Sequence, residues 1–124
     1  MKLHHIGIEY TDQEKAKTFF SNICGLDLLK AYELNEQLSK EIFSINKSMQ
    51  VLVFQNNYTY IEVFITNKVK NTSFEHICLQ VLNKNKFIEK CKHYELKPFT
   101  VMKNDKELLF VRDFSHNLFE IKGL

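Results

Sequence analysis

The chain has 124 residues, of which 44% are hydrophobic and 26% are charged, and its formal net charge at pH 7 is +2. This size fits one domain, and the composition is that of a globular protein with a buried core, which excludes a disordered chain. The small net charge favours neither nucleic acid nor an anionic membrane as a partner, so we expect neither.

Hydropathy and cysteine usage indicate a cytoplasmic protein. No hydrophobic run approaches the length of a membrane span, and the N-terminal segment MKLHHIGIEY has two histidines where a signal peptide needs an apolar core. The three cysteines, Cys24, Cys78 and Cys91, are an odd set with no close pair, which predicts neither a disulfide framework nor a cysteine zinc site. A reducing cytoplasm is therefore expected.

The first half of the chain predicts the element order βαβββ. Residues 3–10 alternate between apolar and polar as in a strand with one face on a core, and Thr11 with Glu14 forms a predicted capping box. An amphipathic helix ending at Gly25 follows, with an apolar stripe at Ala16, Phe19, Phe20 and Ile23. Three further strands are predicted at residues 41–46, 49–55 and 58–66.

The second half repeats that order. It begins with a predicted strand over residues 75–81, followed by a helix that Asn83 or Asn85 can cap. The helix has the apolar stripe Phe87, Ile88, Cys91 and Tyr94, and the predicted strands after it are residues 99–103, 108–112 and 118–122. The sequence therefore predicts an α+β fold, a single domain built from two tandem βαβββ modules, residues 1–67 and 74–124.

Each module has a histidine in its first strand and a glutamate in its last, on the polar face: His5 and Glu62, then His76 and Glu120. A carboxylate between two large apolar residues is costly to bury unless it is paired or coordinated. Two imidazoles with two carboxylates suit Ni²⁺, Zn²⁺, Co²⁺, Mn²⁺ or Fe²⁺ better than Ca²⁺. Any one of the four alone is most simply an exposed surface residue. His4, on the apolar face, is the alternative in the first strand.

Four segments of the chain resemble the vicinal-oxygen-chelate superfamily, which includes glyoxalase I, bleomycin-resistance proteins and extradiol dioxygenases. The run LHHIGIEYTDQEKAKTFFSNICGLDLL is similar to the opening of these domains, and EHICLQV is similar to the strand that opens their second module. The segments YIEVF and FVRDFSHNLFEI resemble the strands that carry the remaining ligands. The resemblance covers nearly the whole chain and implies that the two modules form a cupped mixed sheet.

The resemblance also implies a site and an activity. The ligands of one divalent metal ion (Ni, Zn, Co, Mn or Fe) would be His5, Glu62, His76 and Glu120, a set similar to those of glyoxalase I and methylmalonyl-CoA epimerase. The implied enzyme is a lyase or isomerase that acts on a small carbonyl compound by proton transfer through a metal-bound enediolate. Glu120 would be the general base and Glu62 would return the proton. The candidates to line the substrate site are Tyr60, Phe64, Cys78, Gln80 and Arg112.

Departures from the family pattern argue against a glutathione adduct as the substrate. Glu9 and Thr66 stand where glutathione-using bacterial members tend to have arginine and asparagine, and an acidic Glu9 would repel a glutathione carboxylate. The closing turn has Ser115-His116-Asn117 in place of the usual Asp-Gly-Asn. Two other functions stay open: a metal-independent protein that sequesters a ligand, as bleomycin-resistance proteins do, and an iron-dependent dioxygenase-like enzyme. The resemblance further implies a homodimer.

Overall fold

The structure is a computed structural model that describes all 124 residues, and the chain divides into two compact units. Unit 1 is Met1–Lys68 and unit 2 is Val69–Leu124. The elements of unit 1 are β1 (Ile6–Tyr10), α1 (Gln13–Lys17), a π-helical segment (Thr18–Ile23), β2 (Asp27–Leu34), α2 (Glu36–Phe43), β3 (Met49–Gln55) and β4 (Tyr60–Ile65). Those of unit 2 are β5 (Ile77–Val81), α3 (Lys84–His93), β6 (Phe99–Lys103), β7 (Lys106–Arg112) and β8 (Leu118–Gly123).

Each unit contains a four-stranded mixed sheet with the same strand order. In unit 1 the order is β1-β4-β3-β2, and in unit 2 it is β5-β8-β7-β6. The first strand of each unit pairs in parallel with the last, and the other pairs are antiparallel. The predicted α+β fold of two tandem modules is thus confirmed.

One face of the unit 1 sheet carries the helical core. The stripe predicted for the first helix is buried, and the ring of Phe20 lies 5.6 Å from that of Tyr10 and 5.2 Å from that of Phe54. Gly25 ends this helical stretch with φ +77, in the left-handed region, as predicted. Since side chains alternate along a strand, the opposite face of the sheet carries Glu62. We call the sheet face that carries Glu62 in unit 1, or Glu120 in unit 2, the glutamate face.

Two local predictions in unit 1 are wrong. The side chain that caps α1 belongs to Asp12, which accepts a hydrogen bond from the backbone N–H of Lys15 at 2.8 Å, and Thr11 precedes the cap. Residues 41–46 do not form a strand, because α2 occupies most of that stretch. Asn35 caps α2 by accepting from the N–H of Leu38, and Ser44 ends it in the left-handed conformation. The second strand of the module is β2, which lies before α2.

The elements of unit 2 follow the predicted order more closely. Asn83 caps α3, accepting from the N–H of Lys86 at 3.0 Å, and Phe87 and Cys91 of its apolar stripe are buried. Strand β6 has the predicted bounds, and β7 and β8 extend slightly beyond them. No helix of either unit is long and apolar enough to cross a membrane.

Candidate functional site

The first histidine and glutamate meet on the glutamate face of unit 1. In the parallel pairing of β1 and β4, Gly7 lies opposite Glu62, and His5 stands two residues before Gly7. His5 Nε2 lies 3.5 Å from Glu62 Oε2, with 42% and 22% of the two side chains exposed. Two ligands that each bind a metal at about 2.1 Å have donor atoms roughly 3 to 3.5 Å apart. These two side chains therefore fit neighbouring positions on one ion.

The other nitrogen of the His5 ring is already in a contact. His5 Nδ1 lies 3.0 Å from the Nδ1 of His4, and the Tyr60 ring centroid lies 5.8 Å from His5 and 5.4 Å from His4. A hydrogen bond at Nδ1 orients the imidazole and leaves Nε2, the atom nearest Glu62, for a ligand. His4 thus supports His5, although the sequence suggested it as an alternative ligand.

Unit 2 repeats the register of the first pair. Glu120 lies opposite Cys78 in the parallel pairing of β5 and β8, and His76 stands two residues before Cys78. The side chains of His76 and Glu120 do not form an ion pair. Instead, His76 Nδ1 lies 3.0 Å from the carbonyl oxygen of Phe74. Because a carbonyl can only accept, Nδ1 is the donor of this hydrogen bond, and in the neutral ring that tautomer has its lone pair on Nε2.

The predicted ligands thus form two pairs. No group of three or more histidine, cysteine, aspartate or glutamate side chains is placed to hold a metal ion in the structure. A mixed set of imidazole nitrogens and carboxylate oxygens is nevertheless the donor chemistry that suits the divalent transition metals.

Aromatic side chains surround the unit 1 pair. Phe64 lies two residues after Glu62 on the glutamate face, and its ring lies 5.4 Å from that of Phe43 in α2. The same ring covers Gly7, where a Cβ would lie 3.2 Å from Phe64 Cε2. Burial, and then the negative charge of Glu62, raise the pKa of Tyr32 in β2. Tyr32 is therefore a neutral phenol near the Glu62 carboxylate at neutral pH.

Sulfur and charged groups surround Glu120 in unit 2. Burial and the charge of Glu120 raise the pKa of the Cys78 thiol, and Lys122 acts in the opposite direction. Gln80 lies opposite Lys122 in the pairing of β5 and β8. The guanidinium of Arg112 donates from Nη1 to the carbonyl oxygen of His116 at 3.2 Å, so one of its hydrogen bonds holds the closing turn.

That closing turn is built on a buried carboxylate. Asp113 Oδ1 accepts from the backbone N–H groups of Ser115 and Asn117 at 3.0 and 2.8 Å, and Oδ2 accepts from the Asn117 side chain at 3.1 Å. His116 has φ +69. Histidine is one of the few residues other than glycine that occupies this region with some frequency, which explains how it replaces the usual glycine here.

The two positions that departed from the glutathione-using pattern lie in unit 1. Glu9 is exposed opposite Phe64 on the glutamate face, which keeps a negative charge beside the candidate site. Thr66 follows β4 and donates its backbone N–H to the carbonyl of Tyr10 at 2.9 Å, while its hydroxyl is buried without a hydrogen-bond partner.

Comparison with a family model shows which superfamily the chain belongs to. Residues 4–107 match the model of the Glyoxalase/Bleomycin resistance protein/Dioxygenase superfamily. The chain belongs to this superfamily. The membership confirms the resemblance to vicinal-oxygen-chelate proteins. No curated protein sequence matches the chain.

Solved structures agree on the fold. The fosfomycin resistance protein FosX of Listeria monocytogenes is 17% identical with a TM-score of 0.74, and the match covers 100% of this chain and 93% of that one. A glyoxalase family protein of Bacillus cereus is 13% identical with a TM-score of 0.77, covering 99% and 93%. Another from Enterococcus faecalis is 15% identical with a TM-score of 0.71, covering 97% and 95%. At these identities the likeness concerns the fold.

The sequence-based prediction did not include two residues that lie near the His5–Glu62 pair. Tyr32 and Phe43 lie on β2 and α2, the two elements whose positions the sequence pattern missed. With the strand wrongly expected at residues 41–46, neither could be placed beside Glu62 or Phe64. The capping residue Asn35, followed by helix-forming residues, was the available signal for α2.

Proposed function

We propose that this protein is a divalent-metal-dependent lyase or isomerase that moves a proton next to the carbonyl of a small substrate. The observation that carries the proposal is the repeated register of the two pairs. His5 precedes the residue opposite Glu62 by two positions, as His76 precedes the residue opposite Glu120. Two strand pairs built alike thus each present one imidazole and one carboxylate. We propose these four side chains as the ligands of one ion.

The contacts made by the ring nitrogens of the two histidines support this proposed set of ligands. Each has its Nδ1 in contact with a neighbour, the ring of His4 for His5 and the carbonyl of Phe74 for His76. Ligating histidines commonly use one ring nitrogen in this way, which fixes the ring and leaves the other nitrogen for the metal. The Nε2 atoms of His5 and His76 are therefore the proposed donor atoms.

The bound cation would supply a Lewis acid that stabilises negative charge on the substrate oxygens, an effect usually worth several kcal/mol. In the proposed reaction Glu120 accepts the proton from the carbon next to the carbonyl, and Glu62 delivers a proton to the adjacent carbon. One proton is taken and one is returned, so the product is an isomer of the substrate. Tyr60, Phe64, Cys78, Gln80 and Arg112 are proposed to contact the substrate.

The neighbouring structures support a divalent metal in the superfamily. A mutant of the Listeria monocytogenes FosX was crystallised with Mn(II) and 1S,2S-dihydroxypropylphosphonic acid, and that structure is 16% identical to this chain with a TM-score of 0.75. Glu9, on the glutamate face of unit 1, supports a substrate other than a glutathione adduct, because its charge opposes a second carboxylate.

Metal dependence of the isomerase activity tests the proposal. Protein stripped with a chelator would be reloaded separately with Ni²⁺, Zn²⁺, Co²⁺, Mn²⁺ or Fe²⁺ and assayed on hemithioacetals of glutathione and of small neutral thiols. We expect turnover only after reloading, and faster turnover with the neutral thiols. Binding of drug-like ligands by metal-free protein without turnover would instead indicate a sequestering protein. Oxygen uptake with iron would indicate a dioxygenase.

We also propose a homodimer, following the family resemblance. Light scattering after size-exclusion chromatography would then give twice the 14.8 kDa of the chain. A mass equal to that of one chain at micromolar concentration would contradict the dimer without touching the proposed reaction.

A further inference from the structure

Helix α2 of unit 1 has no counterpart in unit 2. In unit 1 the chain between β2 and β3 forms α2 and an irregular stretch over residues 44–48, whereas a tight turn joins β6 to β7 in unit 2. The ring centroid of Phe43 in α2 lies 5.4 Å from that of Phe64. Because Phe64 and Glu62 point to the same side of β4, α2 lies over the glutamate face of unit 1.

Ser39 is the one residue of α2 that is fully buried. It stands one helical turn before Phe43 and therefore points to the same side of the helix, toward the sheet. The apolar residues that flank it, Leu38, Ile42 and Phe43, remain 44%, 61% and 46% exposed. Helix α3 of unit 2, by comparison, buries a phenylalanine and a cysteine. Few apolar contacts thus hold α2 on the glutamate face, which is typical of a segment that opens locally.

The buried hydroxyl of Ser39 has no hydrogen-bond partner. A buried hydroxyl without a partner costs free energy, which contact with water or with a ligand oxygen would recover. The closed position of α2 is therefore destabilised by the group at the centre of its contact with the sheet. An oxygen placed beneath the helix would supply the missing partner.

Both ends of α2 suit a helix that moves as a unit. Asn35 precedes it in an extended conformation and accepts a hydrogen bond from the N–H of Leu38 at 2.9 Å. Ser44 ends it in the left-handed conformation, with φ 60. These capping bonds are local, so they persist when the helix turns away from the sheet. Hinges are commonly such residues at the ends of an element.

The sheet beneath α2 offers apolar surface next to Glu62. In the antiparallel pairing of β3 with β4, Val51 lies opposite Phe64. Val53 lies opposite Glu62 in the same pairing. Both valines are fully buried, and directly opposite residues share a face of the sheet. A molecule admitted beneath α2 would therefore meet apolar side chains and one hydroxyl, that of Ser39.

We propose that α2 is a lid over the glutamate face of unit 1, and that the Ser39 hydroxyl binds an oxygen of a ligand held beneath it. The ligand class is a compact apolar molecule that carries a hydroxyl or carbonyl oxygen. That this ligand is the substrate of the enzyme rests on the proposed function, because the surface beneath α2 adjoins Glu62.

Native-state hydrogen exchange of the whole chain tests the lid. The α2 amides should exchange about tenfold or more faster than those of α3, through a local opening that depends little on urea. Ser39→Ala and Ser39→Cys each remove the hydroxyl and should slow the exchange of α2 about fivefold. Cysteine has no higher helix propensity than serine, so the cysteine variant separates the loss of the hydroxyl from the propensity gain of alanine. Exchange of α2 as slow as that of α3, or no slowing in Ser39→Cys, would overturn the lid.

Two probes that differ by one hydroxyl, benzyl alcohol and toluene, test the contact with Ser39. NMR titration of isotope-labelled protein would give the affinity for each, and we expect benzyl alcohol to bind saturably and to slow the exchange of α2. Ser39→Ala should weaken the binding of benzyl alcohol about fivefold relative to toluene, because only the alcohol can bond to the serine. Ser48→Ala, in the exposed stretch after α2, is the matched control and should change this ratio less than about twofold. An unchanged ratio in Ser39→Ala, or no saturable binding of benzyl alcohol, would reject the contact.

The lid and the proposed function can fail separately. Neither measurement needs metal or turnover, so an opening lid with Ser39-dependent binding would stand even if no metal supported isomerase activity. Metal-dependent isomerase activity in a protein whose α2 exchanges as slowly as α3 would reject the lid alone.

Discussion

The carboxylate of unit 1 lies among aromatic rings, whereas the carboxylate of unit 2 lies among lysines and a thiol. Glu62 is 22% exposed beside His5, with Tyr32 and Phe64 close by. Glu120 lies opposite Cys78 and lines a cavity with lysines. The strand register at both glutamates is nevertheless the same. The comparison shows that a repeated strand register can present equivalent glutamates while the side chains around them diverge.

The different neighbours of the two glutamates favour different interactions with a substrate. Aromatic surroundings lower the polarity around a carboxylate and offer flat apolar surface to a substrate. Lysines attract and orient a negatively charged group. Under the proposed function, unit 1 would offer apolar contact to a substrate, and unit 2 would place charged groups beside the second carboxylate. Four sets of substitutions test this difference.

The two glutamates should both be essential but not equivalent. We expect Glu120→Gln to lower kcat by about 10²- to 10⁴-fold, the usual contribution of a general base. Glu62→Gln should lower the affinity for metal as well as kcat, because its carboxylate adjoins His5. Steady-state kinetics with metal titrations would measure both effects. The control is Glu89→Gln, an exposed glutamate of α3 in unit 2 that does not line the cavity beside Glu120, and activity as high as the control in either variant would contradict the assignment.

The turns before the last strands of the two units should differ in their contribution to stability. Asn56 Oδ1 accepts from the N–H groups of Tyr58 and Thr59 in an exposed turn, whereas Asp113 is buried and accepts three hydrogen bonds. Asp113→Ala should lower the free energy of unfolding by about 2 to 3 kcal/mol, since it leaves buried donors without a partner. Asn56→Ala should cost less than about 1 kcal/mol. Chemical denaturation gives both values, and equal losses would contradict the comparison.

The residue opposite each glutamate should tolerate substitution by alanine differently. Gly7 is covered by the Phe64 ring, and Phe43 limits how far that ring can move. Gly7→Ala should therefore destabilise the protein by about 1 kcal/mol through overpacking. The matched change in unit 2 is Cys78→Ala at an exposed position, which should alter stability by less than about 0.5 kcal/mol. Thermal unfolding of the two variants makes the comparison, and an unchanged Gly7→Ala variant would show that the ring shifts freely.

The thiol of Cys78 reports on the charges around Glu120. Its pKa is raised by burial and by Glu120 and lowered by Lys122, so it should alkylate more slowly than a free thiol at about pH 8. Glu120→Gln should lower the pKa and speed alkylation several-fold, whereas Lys122→Gln should slow it. Mass spectrometry of the modified peptides measures the rates. Cys91, whose burial raises its pKa to about 12, is the unreactive internal control. A rate unchanged by either variant would place these charges too far from the thiol.

The register of the candidate ligands could be predicted from the sequence because alternation fixes which face a strand residue occupies. The strand β2 could not, for physical reasons. It is an edge strand, mostly exposed, and its register shifts between Leu28 and Lys30, so the apolar residues do not alternate. Residues 41–46 include Ile42, Phe43 and Ile45, residue types that favour a strand, yet the cap at Asn35 favours a helix there. Strand-favouring residues in a short segment are weaker evidence than a capping residue followed by helix formers.

Side-chain neighbours were harder to predict than strand positions. Alternation places Phe64 and Glu62 on one face, but it does not show that Phe43 from α2 lies against Phe64. Likewise the lysines of unit 2 look scattered along the sequence, and only the pairing of β7 with β8 brings Lys106 and Lys122 to one cavity. Such groupings depend on long-range strand pairing and on side-chain conformation. The hydrophobic periodicity of a single sequence indicates only local secondary structure.

A crystal of the metal-loaded protein would test the central claim most directly. Anomalous diffraction from crystals soaked in Mn²⁺ or Zn²⁺ locates the ion without reference to any assigned role. We expect one strong peak per chain within bonding distance, about 2.0 to 2.3 Å, of His5 Nε2, His76 Nε2 and the carboxylates of Glu62 and Glu120. A peak coordinated by other residues, or no peak at saturating metal, would contradict it.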